Sequence, residues 1–371
     1  MNEKKHSSES IDSRQPTGQC RNDMLSEALE RMSSPRGAKR GMGSILSNAS
    51  QIFILTDENV APFWLPEVEY WFSCEKAVEI VVKPGEQHKN LQSVRRIWKA
   101  LMKHHADRNA LLINLGGGTI TDLGGFAAST YKRGIRFVNI PTTLLGMIDA
   151  AIGGKTGIDL GGAKNQIGTF AEAEAVLVKP DFLITLPERE LLSGLAEMLK
   201  YGFVSDANLL NVNMENYQQH IVRCGDIKRE IVAKDPKENG LRKILNFGHT
   251  LGHAIESHCL TTDCPLLHGE AVALGMAAAL WLSVKQCGLD PKVLRGYEKQ
   301  LPALLSEAKI NFTNADVEPI LGYLAFDKKN DGEKPRFVLL EAVGKPVMDV
   351  ELPPQLVHKA LEYVITKMQK R

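Results

Sequence analysis

Two histidines stand four residues apart in His249-Thr-Leu-Gly-His253, and a third follows in His268-Gly-Glu270. On a helix, an i, i+4 pair puts both imidazoles on one face, which is how helices offer nitrogen ligands to zinc. Thr250, not Glu, follows the first histidine, so the general base of a zinc protease is missing. A further ligand has to come from elsewhere. Glu197, a carboxylate on the otherwise apolar stretch Ser193-Gly-Leu-Ala-Glu197-Met-Leu-Lys200, qualifies. Capping and core histidines are the plain alternative. Cys259 and Cys264 lie near His258, but their spacing matches no common zinc module.

A second set of residues suits anions. The turn Gly116-Gly117-Gly118-Thr-Ile-Thr-Asp122 falls between a strand-like and a helix-like segment, where glycines admit a pyrophosphate to a helix N-terminus. The dinucleotide pattern G-x-G-x-x-G is incomplete, because Thr121 takes the last glycine position. Gly153-Gly154-Lys155-Thr156 looks like the end of a P-loop, yet Asp149 stands where the first P-loop glycine belongs. The lysine there still suits a phosphate or carboxylate as a point charge. Arg133, Lys155, Lys164, Lys200, Lys228, Arg242, Lys328 and Lys329 are cations of which several sit beside glycines or inside apolar helices. Solvated faces are their default. Converging, they would hold a substrate with more than one anionic group.

These groups need a scaffold. Gln51–Thr56, Val78–Lys83, Ala110–Leu115 and Phe137–Ile140 read as short buried strands, alternating with helical patterns at Leu91–His105 and Asp122–Thr130. That alternation predicts a parallel sheet covered on both faces. After about Pro187 the pattern is mostly helical, with a late hairpin that has Arg336–Leu340 as one strand and an Asn330-Asp-Gly turn before it. The expected organisation is a polar extension over residues 1–43, an α/β nucleotide-binding domain over 44–186, and a helical metal- and substrate-binding domain over 187–371. A short helix around Met24–Met32 is the most the extension offers.

The 371 residues are 43% hydrophobic and 24% charged, an ordinary globular balance. Lys plus Arg is 45 against 44 for Asp plus Glu, which gives no basic field for nucleic acid or a membrane surface. The longest apolar stretch, Ala271–Val284, is too short to cross a bilayer. Neither a secretory signal nor, given Glu3, Glu9, Asp12 and Asp23, a transit peptide is expected. Six scattered cysteines without Cys-x-x-Cys pairs suit a reducing cytoplasm.

Taken together, the motifs resemble the 3-dehydroquinate synthase family of sugar phosphate cyclases. They are Gly85-Glu-Gln-His-Lys89, Gly116-Gly-Gly-x-x-x-Asp122, Tyr131-Lys-Arg133-Gly134, Pro141-Thr-Thr-Leu-Leu145, Asp149 with Gly153-Gly-Lys-Thr156, Lys164-Asn165, Ser193–Lys200, Gly240-Leu-Arg242, Asn246-Phe-Gly-His249, His253, Leu267-His-Gly-Glu270 and Asp327-Lys-Lys-Asn330. The similarity runs from about Ile52 to near Gly344. His88, where Tyr is common, and Thr119, where an apolar residue is frequent, depart from the pattern.

The resemblance implies an N-terminal Rossmann-like NAD domain followed by a helical metal domain, usually as a homodimer. It implies NAD contacts from Asp57 and Asn59, from Glu86 and Lys89, and from Gly117, Gly118, Thr119 and Asp122. Thr142, Thr143, Lys164, Phe182, Thr185 and Glu190 would complete them. It makes Glu197, His249 and His268 the ligands of a divalent metal, Zn or Co, and turns His253 toward the substrate. Arg133, Asp149, Lys155, Asn165, Lys200, Lys228, Arg242, Asn246 and Lys329 would line the substrate site. Phosphate would be held by Lys155, Lys164, Arg133 and Asn165, and carboxylate by Arg242 and Lys228.

The implied activity is a lyase reaction of the shikimate pathway, in chorismate and aromatic amino acid biosynthesis. It converts 3-deoxy-D-arabino-heptulosonate 7-phosphate to 3-dehydroquinate and phosphate. The alternatives are a cyclase acting on sedoheptulose 7-phosphate or glucose 6-phosphate, a metal-dependent alcohol or glycerol dehydrogenase of similar fold, and a protein that binds nucleotide for structure only.

Overall fold

The computed structural model describes residues 42–71, 77–161, 163–329 and 335–369. Most of the polar extension, with the expected helix at Met24–Met32, and the Asn330-Asp-Gly turn lie outside the described residues.

After a short helix α1 (Met42–Ser47), the strands β1 (Ile52–Asp57), β2 (Val78–Val82), β3 (Leu111–Gly116), β4 (Arg136–Pro141) and β7 (Ala175–Val176) form one sheet in the order β2-β1-β3-β4-β7. Every pairing in it is parallel. Helices α2 (Ala61–Trp71), α3 (Leu91–Lys103) and α4 (Gly118–Thr130) connect and cover it. The Asn90 side chain starts α3 by accepting from the backbone N–H groups of Gln92 and Ser93.

Strand alternation sorts the core. On β1, Phe53 and Leu55 face α3 and α4 with Ile97, Leu101 and Leu123. Ile54 faces the opposite way, into a larger core shared with Ile113, Val138 and the helices of the second half. Gly124 lets α4 lie close against β3, since a Cβ there would come within 1.9 Å of Asn114 Oδ1. The close-packing glycine of a dinucleotide turn is thus present three residues beyond the place where the sequence pattern expects it.

Three expectations are corrected. Helix α4 begins at Gly118, four residues before Asp122, because the glycine turn itself forms its first turn. The late hairpin pairs β8 (Arg336–Ala342) with β9 (Lys345–Glu351), so its turn follows Arg336–Leu340 instead of preceding it, with Gly344 at φ 75°. The lysine-bearing turn read at Gly153–Thr156 leads into an antiparallel hairpin of β5 (Lys155–Leu160) and β6 (Ala163–Phe170). Backbone and hydroxyl contacts tie it down: Asp159 N donates to Lys89 O at 2.8 Å, and Thr169 Oγ1 lies 2.8 Å from both Thr156 Oγ1 and Ser129 Oγ.

From Glu188 onward the described chain is helical except for β8 and β9: α5 (Glu188–Val204), α6 (Ile221–Lys234), α7 (His249–Cys259), α8 (His268–Gln286), α9 (Pro291–Leu304), α10 (Val317–Lys329) and α11 (Pro354–Gln369). Helix α8 is apolar on nearly every side, as an interior helix must be, and almost all of Gly269–Ser283 is buried. No helix among the described residues is long and apolar enough to cross a membrane.

Candidate active site

Glu197 stands at the centre of the second half, on α5, with no exposed surface. Its Oε1 lies 3.4 Å from His249 Nε2 and 3.3 Å from His268 Nε2, and its Oε2 lies 2.5 Å from Lys200 Nζ. His249 opens α7 and His268 opens α8. Gly269 allows α8 to start against the α5 backbone: a Cβ there would fall 1.9 Å from Ser193 O, and its N–H donates to Ser193 Oγ at 3.0 Å. Glu270 pins the same end, accepting from Leu267 N at 2.7 Å and from Arg189 at 2.6 and 2.7 Å. These contacts carry His268 to Glu197 across 71 residues of sequence.

The second nitrogens of both histidines are engaged elsewhere. His249 Nδ1 is 3.1 Å from Phe247 O, and His268 Nδ1 is 3.3 Å from Glu256 Oε2. Carbonyl and carboxylate acceptors at Nδ1 leave Nε2 as the free lone pair. His253, four residues after His249, joins the group; the ligand nitrogens of His249, His253 and His268 lie within 4.8 Å of one another. Its ring is open to solvent, on the wet side of the cluster.

The residues fit a divalent cation. Both carboxylate oxygens of Glu197 are buried without a well-directed hydrogen bond, and Oε1 is aimed at two imidazole nitrogens. Burial works against the Glu197 charge, yet Lys200 and His249 hold its pKa down at about 2. Burial drives His249 down to about 3, which keeps its imidazole neutral as a ligand must be. Burial opposes charge on His268 too, but Glu256 and Glu197 hold it up at about 10. A histidine nitrogen set between carboxylates is where a cation displaces a proton.

Beside this centre, Lys200 Nζ also donates to Asp149 Oδ2 at 2.9 Å. Lys228 on α6 donates to both the Asp149 carboxylate and, at 2.6 Å, its carbonyl. Burial would raise the Asp149 carboxyl, but the two ammonium groups hold it well below the usual carboxylate range. Lys155, half exposed at the start of β5, pairs with Glu238, whose other oxygen accepts from Asn246 at 2.7 Å. Arg242 is buried and donates to Gly153 O at 3.0 Å and Pro236 O at 2.8 Å. Burial, with Arg242 and Lys228 nearby, lowers Lys155 to about 8.

The nucleotide-type residues gather at the C-terminal edge of the sheet. In the order β2-β1-β3 the chain reverses direction between β1 and β3, the switch point at which doubly wound sheets bind nucleotides. Asp57 ends β1 and accepts from the N–H groups of Asn59 and Val60. Gly117 follows β3 and Gly118 starts α4, and a side chain at Gly117 would run into Thr143. That bare backbone at a helix N-terminus fits a pyrophosphate. Thr142 N donates to Gly116 O at 3.0 Å, and Thr143 Oγ1 accepts from Gly146 N at 3.0 Å. Around this turn Glu86 accepts from Thr119 Oγ1 at 2.9 Å, and Lys89 donates to Asp122 at 2.9 Å.

Other candidates are placed differently. Arg133 is exposed just beyond the end of α4 that lies away from the glycine turn, with Lys132 and Asp107–Asn109 beside it. Lys164 faces Glu86 and Glu256, away from the Lys155 group, while Asn165 is exposed at φ 52° with its N–H on Asp159. Phe182 is wholly buried against Trp64 and Trp71, and the Thr185 hydroxyl accepts from Trp64 Nε1 at 2.8 Å. Glu190 sits half-buried near the start of α5, its carboxyl raised by burial. The side chain of Lys329 lies outside the described residues.

Sequence reasoning missed two residues. Glu256 completes an i, i+4, i+7 face with His249 and His253, a periodicity that was there to be read. Glu238 has no such signal; it lies in a turn at φ 61°.

A Rossmann-like sheet facing a helical His/carboxylate centre defines a nucleotide- and metal-dependent enzyme class. Among solved structures the chain is similar to a 2-deoxy-scyllo-inosose synthase complexed with carbaglucose-6-phosphate, NAD+ and Co2+ (TM-score 0.77, 22% identity, 86% of this chain and 91% of that one). It is also similar to the 2-epi-5-epi-valiolone synthase of Streptomyces hygroscopicus with NAD+ and Zn2+ bound (TM-score 0.75, 27% identity, 88% and 95%). An iron-containing alcohol dehydrogenase of Thermotoga maritima shares the fold more distantly (TM-score 0.57, 14% identity, 87% and 93%). Models of the 3-dehydroquinate synthase N-terminal and C-terminal regions match residues 79–193 and 194–330. The 3-dehydroquinate synthase of Parabacteroides distasonis is 40% identical over 84% of this chain and 91% of its own length. That of Gloeobacter violaceus is 42% identical over 77% and 81%. The chain belongs to the 3-dehydroquinate synthase family.

Proposed function

We infer that the chain converts 3-deoxy-D-arabino-heptulosonate 7-phosphate to 3-dehydroquinate and phosphate, with NAD and a divalent metal, Zn or Co. The reaction runs by transient oxidation of a ring alcohol, phosphate elimination, re-reduction and intramolecular aldol closure. Family membership carries the activity. The observation that carries the site is the orphaned Glu197 carboxylate between His249 Nε2 and His268 Nε2.

Bound NAD supplies a hydride acceptor and donor, and a bound divalent cation supplies Lewis acidity at the substrate hydroxyl. Glu197, His249 and His268 hold the cation, with Nε2 of each ring directed by its partner at Nδ1. The glycine turn, Asp57, Glu86 and Lys89 receive the nucleotide at the sheet edge. Lys155 and Arg242 attract the anionic ends of the substrate by charge-assisted hydrogen bonds. Asp149, ionised between Lys200 and Lys228, accepts from a substrate hydroxyl and orients it. His253, on the solvent side of the metal group, moves protons during elimination and closure. The homodimer that the resemblance implies is to be read by light scattering. The scattered cysteines support a reducing cytoplasmic setting.

The test supplies the purified protein with NAD, Zn and the heptulosonate phosphate, and follows phosphate and NADH together. Phosphate released without NADH accumulating supports internal redox cycling. NADH accumulating without phosphate would make the protein a dehydrogenase. Release from sedoheptulose 7-phosphate alone would keep the fold and change the substrate.

A further inference from the structure

A chain of charges, part-buried except for the fully buried Glu256, joins the two sites. Glu256, on the same face of α7 as His249 and His253, is 2% exposed. Its Oε2 lies 3.3 Å from His268 Nδ1, and its Oε1 accepts from Lys164 Nζ at 2.6 Å. Lys164 Nζ in turn lies 3.4 Å from Glu86 Oε1, and Glu86 Oε2 accepts from the hydroxyl of Thr119 in the first turn of α4. The path Thr119–Glu86–Lys164–Glu256–His268 thus runs without a gap from the glycine turn to the metal centre. It crosses from β6 to α7, elements that otherwise belong to the two halves of the chain.

We propose that Glu256 is the positioning residue of the metal centre and that, through Lys164 and Glu86, it couples metal affinity to nucleotide occupancy. The proposal rests on the site reading above. By accepting at Nδ1, Glu256 fixes the tautomer and ring plane of His268, which leaves Nε2 for the cation. Its second oxygen holds Lys164 where a nucleotide settling on Glu86 and the glycine turn must meet it. A ligand that favours one arrangement of Lys164 then favours one arrangement of Glu256. By linkage the effect is reciprocal.

The experiment uses the full chain stripped of metal, with Co2+ affinity measured by competition against a chromophoric chelator, without and with saturating NAD. In the unaltered protein NAD is expected to tighten Co2+ binding by about fivefold or more. Glu256→Gln, close in shape, is expected to weaken Co2+ binding by about 10- to 100-fold, change the visible Co2+ spectrum and abolish the NAD effect. Glu256→Asp is expected to recover part of both. Lys164→Gln keeps the partner of His268 and is expected to lose the NAD effect with a smaller loss of Co2+ affinity, an independent reading should Glu256→Gln fold poorly. Unchanged affinity and spectrum in Glu256→Gln would overturn the positioning role. An NAD effect that persists in both variants would overturn the coupling. An unaltered protein that binds no Co2+ would instead overturn the metal reading on which the proposal stands.

Discussion

Lys200 Nζ lies 2.9 Å from Asp149 Oδ2 and, at the same time, 2.5 Å from Glu197 Oε2. One ammonium group, 1% exposed, therefore faces both the carboxylate between the two imidazoles and the carboxylate held by Lys228. Its three-residue offset from Glu197 on α5 puts both side chains over the same helical turn. Asp149 arrives from the turn after β4, so the contact closes the sheet edge onto the helical half.

Removing that ammonium leaves the buried Glu197 carboxylate without a lysine, while Asp149, part-exposed, keeps Lys228. Lys200→Met is expected to lower stability by about 3–5 kcal/mol, the usual cost of breaking a buried ion pair from one side. Urea denaturation of the metal-free protein measures it. A loss below about 1 kcal/mol would show that solvent reaches Glu197 after all.

The proposed role of Lys155 in attracting the substrate makes activity sensitive to pH. Its pKa, lowered to about 8, means that the positive form is lost as pH rises through 8. An anionic substrate prefers the protonated form, so kcat/KM is expected to fall above pH 8, approaching tenfold per pH unit. Lys155→Arg, which stays charged, should remove that limb of the profile. An identical alkaline limb in the Arg variant would assign it to another group.

Metal removal is expected to abolish activity, with Zn or Co restoring it. Glu197→Gln and His268→Ala should each lower metal affinity beyond the roughly 100-fold that loss of an outer partner reaches. Activity that survives exhaustive chelation, checked by elemental analysis, would remove the cation from the site.

Gly124→Ala tests the fit of α4 on β3. The added methyl meets Asn114 Oδ1 and Leu55, so a loss of about 1–3 kcal/mol is expected from overpacking. Thermal melting reads it, and an unchanged Tm would mean that α4 shifts at no cost.

The four long strands of the parallel sheet and helix α3 were legible as apolar runs and helical spacing, because burial on both faces leaves that mark on local sequence. The hairpin β5–β6 was not. Its strands are rich in Gly, Lys and Thr, and its pairing is held by Thr156, Thr169 and Ser129, contacts between separate segments. The i, i+4 spacing of His249 and His253 marked a candidate metal face, and Glu197 stood out as a carboxylate in an apolar helix. That His268 is the third group against Glu197 came from the resemblance, and in space it depends on how α8 starts against α5.

The residue types on this chain, their order and their helical and strand periods determined by themselves a parallel-sheet half, a helical half and a chemistry of imidazole, carboxylate, glycine turn and cation. Those are local properties, written within one or two turns of chain. Which charges meet was decided only by the tertiary structure. Lys164 turns from the expected phosphate group to Glu256, Arg133 stays at the far end of α4, and Glu238 and Glu256 enter as partners. An ion pair inside a protein is set by the closest approach of elements far apart in sequence, and single glycines such as Gly269 and Gly124 set that approach to within about an ångström.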